Sequence, residues 1–123
     1  MSGTRQPGRN REIVVVTATM TLSPHHVGKT ILVESSASCT LTLPTPEQCL
    51  KGGDILIINS ADQTLIVGLN ELVISKNSLA ADTVTASTAG ELIGTAFWCI
   101  NTGSKWAVLP LAEEAVSITV TAD

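Results

Sequence analysis

Residues 12–22 of the chain read EIVVVTATMTL, and this stretch decides the fold class. Its first half is a continuous apolar run, Ile13–Val16, and its second half alternates threonine with Ala18, Met20 and Leu22. A β-strand places successive side chains on opposite faces. The run therefore predicts a strand covered on both faces, and the alternation predicts one covered on a single face. We predict one long strand over residues 12–22.

The composition of the whole chain extends this prediction. Among its 123 residues 16 are threonine and 11 are serine, 44% are hydrophobic, and the only aromatic residues are Phe97, Trp98 and Trp106. Side chains branched at Cβ pack well on a pleated surface and lose rotamer freedom in a helix. A core of Val, Ile, Leu and Ala also favours thin sheets over the deep cleft of an enzyme. We expect a single all-β domain, which is what this length supports.

Alternating apolar segments that end at proline or glycine predict further short strands. Residues 39–43 alternate strictly until Pro44 ends the strand. The following Thr-Pro-Glu-Gln is a helix-start signature, cut short by two glycines, so one short helical turn is expected near residues 46–51. The strands around residues 91–100 and 105–109 pair as the last hairpin, across a four-residue turn that contains glycine. A final strand is predicted over residues 115–121, where apolar and hydroxyl residues alternate.

Two other segments are interpreted with the same rules. Residues 54–59 and 63–67 flank a short polar turn, which predicts a hairpin. Residues 76–90 are rich in the small residues Ala, Ser and Thr, and we interpret them as a loop with one weak edge strand. About nine or ten strands at short intervals indicate an antiparallel β-sandwich or small barrel, of which a jelly roll is one form. No sequence period repeats cleanly, which argues against a solenoid.

The charges are divided between a basic start and an acidic remainder. Residues 1–11 hold Arg5, Arg9 and Arg11 and no acid, whereas residues 12–123 hold four lysines against eleven acids, a net charge of −7. The start lacks large apolar residues other than its methionine, so it cannot by itself offset the entropy lost on ordering. We predict an extended basic arm over residues 1–11 and one β domain over residues 12–123. The acidic domain argues against nucleic acid as the partner.

The sequence argues against catalytic or metal chemistry. His25 and His26 could reach one ion only from a turn, and no nearby carboxylate or cysteine completes a chelate. No nucleophile elbow occurs, so we predict no catalytic residue, no metal and no cofactor. Cys39, Cys49 and Cys99 are an odd number without a Cys-x-x-Cys motif, which favours thiols in a reducing cytoplasm. A small metal-dependent enzyme that uses the two histidines and a cysteine is the remote alternative.

Two tryptophans flank the last turn. Their spacing predicts that Trp98 and Trp106 face one another across the hairpin, as a cross-strand pair inside an otherwise aliphatic core. A carbohydrate-stacking platform is the alternative interpretation. No apolar run approaches the ~18 residues needed to cross a bilayer, so no membrane partner is expected.

Several short motifs, read in order, resemble the small β modules of tailed-phage virion proteins, which occur in tail fibres and in capsid-associated chains. The resemblance covers about residues 22–110. It is carried by Val27-Gly28-Lys29-Thr30-Ile31, Cys39-Thr40-Leu41-Thr42-Leu43-Pro44, Gly52-Gly53-Asp54-Ile55 with Ile57-Ile58-Asn59, and Gly103-Ser104-Lys105-Trp106-Ala107-Val108. Fibre modules normally sit in longer chains. A single domain with a basic arm therefore looks more like a capsid decoration, or cement, protein.

The resemblance implies a non-enzymatic virion protein on the capsid exterior, assembled in the host cytoplasm. Such families clamp neighbouring major capsid protein subunits, often as symmetric clusters, so a homo-oligomer such as a trimer is expected. The predicted partner-binding residues are the arm arginines and the apolar residues of the first strand: Arg5, Arg9, Arg11, Ile13, Val14, Val15 and Val16. The alternative is a tail-fibre or tail-adaptor module whose residues 76–90 meet a receptor or another tail protein.

Overall fold

The computed structural model describes residues 11–87, 90–111 and 116–122. These ranges hold ten strands and two 3-10 turns, at Pro24–His26 and Pro46–Gln48. The strands are β1 (Ile13–Val16), β2 (Met20–Thr21), β3 (Thr30–Val33), β4 (Cys39–Thr42), β5 (Asp54–Asn59), β6 (Leu65–Ser75), β7 (Ser78–Ser87), β8 (Ala96–Asn101), β9 (Trp106–Leu111) and β10 (Ser117–Ala122). The predicted arm lies outside the described residues, except for Arg11.

The strands form one open sheet that folds over itself into two layers. The first layer runs β1-β3-β5-β8-β9, and the second runs β2-β4-β6-β7-β10. The layers are joined where Val73 and Ile74 of β6 pair with Trp106 and Ala107 of β9. The all-β, sandwich-like fold is confirmed, and the sheet is not closed into a barrel.

The sequence indicated antiparallel pairing throughout, but the structure mixes parallel and antiparallel pairs. Five of the nine strand pairings in the described ranges are parallel: β1 with β3, β3 with β5, β2 with β4, β4 with β6, and β6 with β9. Four of these parallel pairs arise because the chain alternates between the layers from β1 to β6. Each new strand is laid beside the previous strand of its own layer in the same direction, until β8 returns antiparallel to β5.

The parallel strands of one layer are unevenly spaced along the sequence. Ile13 and its partner Thr30 are 17 residues apart, whereas Thr30 and its partner Leu56 are 26 residues apart. The connections between them therefore differ in length, which agrees with the absence of a repeated sequence period. The fold is sandwich-like and not a solenoid.

The long strand predicted for residues 12–22 is two strands in different layers. Residues 17–19 make the crossing, and the hydroxyl of Thr19 accepts a hydrogen bond from the backbone N–H of Thr40 at 3.0 Å. Leu22 then donates its backbone N–H to the carbonyl of Thr42 at 2.7 Å. The change from continuous to alternating apolar residues marks the point where the chain leaves one layer for the other.

Two further predictions were also wrong. The segments at residues 54–59 and 63–67 do not form a hairpin, because β5 pairs with β3 and β8 while β6 lies in the other layer. Residues 76–90 are mostly strand β7, which lies between β6 and β10 and is not an edge. Its small residues and threonines suit a strand with a neighbour on each side.

The last hairpin and the short helical turn are confirmed. β8 and β9 pair antiparallel from Ala96 with Leu111 to Asn101 with Trp106. The turn at Pro46–Gln48 has proline at its start. The two tryptophans do not face one another, because Trp98 pairs with Leu109 and its side chain lies on the opposite face from that of Trp106.

The core lies between the layers and is aliphatic except for Phe97, Trp106 and the thiols of Cys39 and Cys99. Alternate residues of each strand supply it, including Ile31, Val33, Leu41, Ile55, Ile57, Leu65 and Val67, all fully buried. The indole N–H of Trp106 donates to the carbonyl of Pro44 at 2.7 Å. This bond ties the hairpin to the chain just beyond β4.

Candidate interaction surface

The outward side of the first layer is an apolar surface, which we call the outer face. Its side chains occupy the positions between the core residues in five neighbouring strands. They are Ile13 and Val15 of β1, Leu32 of β3, Leu56 and Ile58 of β5, Trp98 and Ile100 of β8, and Leu109 and Leu111 of β9. Strand register places them in continuous rows, one of which runs Val15, Leu32, Ile58, Ala96 and Leu111.

The most exposed side chains of this face lie on β1, β8 and β9. Ile13 and Val15 are 62% and 52% exposed, and Leu109 and Leu111 are 41% and 49% exposed. Trp98 is 42% exposed between them. Large apolar side chains at these exposures favour contact with another surface when they are contiguous.

Strand β1 is an edge of the sheet in the described part of the chain. Its one neighbour is β3, so one side of its backbone has no strand beside it. Of the four β1 residues predicted to bind a partner, Ile13 and Val15 point outward, while Val16 is in the core and Val14 packs against it. The side chains of Val14 and Val16 therefore stabilise the domain.

Arg11 belongs to the folded domain by its contacts. Its guanidinium bonds Asp54 at 3.2 and 3.5 Å, the hydroxyl of Thr30 at 3.0 Å and the carbonyl of Lys29 at 2.7 Å. The indole N–H of Trp98 donates to the second carboxylate oxygen of Asp54 at 2.8 Å. An arginine engaged in this way inside its own chain is not the free cation that the arm prediction placed at residue 11.

The outer face is electrically neutral as a result. Asp54 is the one charged residue among the outward positions of the five strands, and Arg11 and Trp98 occupy its carboxylate oxygens. The nearby charges of Lys29 and Glu12 neutralise each other in an ion pair at 3.4 Å. Any partner for this face therefore needs apolar contact more than charge.

A shallow groove lies on the second layer. It has a volume of about 350 Å³ and is lined by Thr40, Thr42, Gly68, Leu69, Asn70, Asp82 and Thr83. The carboxylate of Asp82 accepts the backbone N–H of Glu71 at 2.8 Å. The lining contains hydroxyls, an amide and a carboxylate.

The structure does not gather the candidate metal ligands. Within the described ranges, no group of three or more His, Cys, Asp or Glu side chains could hold an ion. His26 accepts the backbone N–H of Ser23 through Nδ1 at 2.9 Å, which holds the 3-10 turn. No helix in this part of the chain has the length and apolar character to cross a membrane.

The three thiols differ in accessibility, which gives a first prediction. Burial raises the pKa of Cys39 and Cys49, and burial together with the Asp54 carboxylate raises the pKa of Cys99. Cys39 and Cys99 are buried and Cys49 is partly exposed. Since the thiolate is the reactive form, we expect a disulfide reagent at pH 8 to label Cys49 alone in the folded protein.

The measurement counts the labelled thiols before and after denaturant is added. One equivalent should react first, and the other two only on unfolding. Cys49→Ser should abolish the first phase and leave the second. Rapid labelling of more than one thiol in the folded protein would contradict the buried positions of Cys39 and Cys99.

No protein-family model matches the chain, and no curated protein matches it. The surface is therefore interpreted from its own geometry.

Most of the outer face was missed in the sequence, although a signal for it was present. The segments 55–58 and 96–100 are apolar at both odd and even positions, ILII and AFWCI. Strands with this pattern are covered on both faces. The structure buries one face in the core, and the second remains open to a partner.

Proposed function

We propose that the chain is a non-enzymatic structural protein of a tailed-phage virion that decorates the outside of the capsid. The observation that carries the proposal is the apolar edge strand β1. Among the described residues, one side of its backbone, next to the outer face, has no strand beside it. Such an edge accepts a strand from another chain, and main-chain hydrogen bonds then supply affinity.

The basic residues at the start of the chain would supply the charge component. Arg5 and Arg9 precede the edge strand in the sequence and are the remaining candidates to pair with acidic groups on the major capsid protein, since Arg11 is bonded to Asp54. Ile13 and Val15 add apolar contact beside them. Many copies on one closed shell convert modest contacts into strong attachment and reinforcement.

A truncation tests the role of the first residues. Deleting residues 1–10 keeps Arg11 and its bonds to Asp54 and Thr30, so the domain should melt within about 1 °C of the full chain. We expect occupancy on purified particles to fall at least tenfold, which corresponds to about 1.4 kcal/mol. Arg5→Gln with Arg9→Gln in the full chain separates the loss of charge from the loss of chain.

Binding by this truncated form at full occupancy would overturn the role of the arm.

The number of copies per particle tests the capsid assignment itself. Hundreds of copies support decoration, whereas a handful would place the protein in the tail and overturn the proposal in favour of a tail module.

A further inference from the structure

We infer that the segment accepted by β1 is an extended apolar strand of the partner chain, which pairs with the main chain of Ile13 and Val15 and runs along all four residues of β1. The inference rests on the proposed function, because the shell protein would supply this strand. It adds the chemistry of the strand and the atoms of β1 that bind it. Both follow from the backbone and the side chains of β1.

The backbone of β1 turns its polar groups alternately to its two sides. The carbonyl of Glu12 accepts the backbone N–H of Thr30 at 2.9 Å, and the carbonyl of Val16 accepts the N–H that follows β3 at 2.8 Å. Because alternate residues of a strand turn their N–H and C=O groups to the same neighbour, the even-numbered residues of β1 face β3. The N–H and C=O groups of Ile13 and Val15 therefore point to the open side, at the spacing that another strand requires.

Three strands of the described sheet have a single neighbour, namely β1, β2 and β10. Strand β2 is two residues long. Strand β10 carries hydroxyl residues on its exposed side, and its pairing with β7 is irregular near Thr121. Strand β1 has a regular register and contains neither a charge nor a proline. Edge strands commonly carry such features against unwanted pairing, so their absence selects β1 as the strand that another chain pairs with.

The two faces of β1 define the side chains of the incoming strand. Its residues opposite Ile13 and Val15 would extend the outer face, where these two side chains are 62% and 52% exposed. Its alternate residues would lie next to Val14, which packs against the core but is only partly buried. The incoming strand is therefore apolar at odd and even positions alike, whereas a strand with one solvated face alternates apolar with polar residues.

A synthetic peptide tests the edge without the capsid. The probe is Ac-KTILVK-amide, which carries the sequence of β3, the strand that pairs with β1 on its other side. We expect it to bind the full chain with a Kd below about 1 mM. In amide hydrogen exchange followed by NMR, the N–H groups of Ile13 and Val15 should become protected on binding, whereas those of Val14 and Val16 are protected in the free chain. The same peptide N-methylated at its four central residues keeps its side chains and should not bind.

A proline separates main-chain pairing from apolar contact. Val15→Pro removes the outward N–H of residue 15 and none of the bonds to β3, and an edge strand tolerates proline at such a position. The variant should lose binding of the peptide and at least tenfold in occupancy on purified particles. Val15→Thr is the matched control, since it keeps the N–H and the branched side chain, and it should bind like the wild type. Circular dichroism must show that both variants are folded.

Protection of the Ile13 and Val15 amides in the free chain would overturn the inference, because the edge would then be covered by the chain itself or by a second copy. A peptide that does not bind, or that binds without protecting these amides, would overturn it as well, and this measurement decides even if Val15→Pro does not fold. Equal occupancy of the folded Val15→Pro variant and the wild type on particles would overturn the inference and leave capsid attachment standing. Protection by the peptide without any binding to particles would overturn the capsid proposal and leave the strand site standing.

Discussion

Replacing Trp106 by alanine is expected to lower the free energy of unfolding by about 4 kcal/mol, a large part of the 5–15 kcal/mol that holds a domain of this size together. The indole is fully buried, and its N–H donates to the carbonyl of Pro44. Trp106 also pairs with Val73 where β9 joins β6. The substitution would open a cavity at the junction of the two layers and leave a buried carbonyl without a donor.

The second tryptophan supplies the control. Trp106→Phe and Trp98→Phe remove the same atoms, including an indole N–H. We expect about 2 kcal/mol for Trp106→Phe, because the Pro44 carbonyl loses its partner inside the core. Trp98→Phe should cost less than 1 kcal/mol, because water can replace the bond to Asp54. Equal losses in urea unfolding would contradict the different burial of the two rings.

Gly68→Ala is expected to cost about 3 kcal/mol or more, although it adds a single methyl group. A Cβ at Gly68 would lie 2.0 Å from the carbonyl oxygen of Asp82 and 2.8 Å from Cα of Thr83. Both atoms are backbone of β7, so no side-chain rotation relieves the contact. The alanine would push β7 away from β6, and β10 is held only through β7 in the described sheet.

A second glycine separates this contact from backbone strain. Gly28 has a φ of +89° and no heavy atom within 4 Å of a built Cβ. Gly28→Ala should cost about 1 kcal/mol from its left-handed backbone alone. Thermal and urea unfolding of both variants make the comparison. A Gly68→Ala variant as stable as Gly28→Ala would mean that β6 and β7 do not approach this closely.

Of the candidate surface, the part on β1 was predictable from the sequence, but the part on β3, β5 and β8 was not. The apolar run of β1 was predicted to bind a partner, and Ile13 and Val15 are exposed on it. Leu32, Leu56 and Trp98 were not recognised as surface residues, because a strand that is apolar on both faces looks the same whether its second side meets the core or a partner. The place of Arg11 was equally hidden, since its partner Asp54 lies 43 residues away.

The sequence by itself determined the all-β class, the last hairpin and the turn at Pro46, because alternation, proline and glycine act on the backbone within a few residues. The tertiary structure alone decided which strands are neighbours and in which direction they run. That choice depends on where the chain crosses between the layers, as it does at residues 17–19. Each strand could satisfy its backbone hydrogen bonds equally well with several alternative neighbouring strands. The same long-range choice decided that one apolar side of β5 and β8 became core and the other became surface.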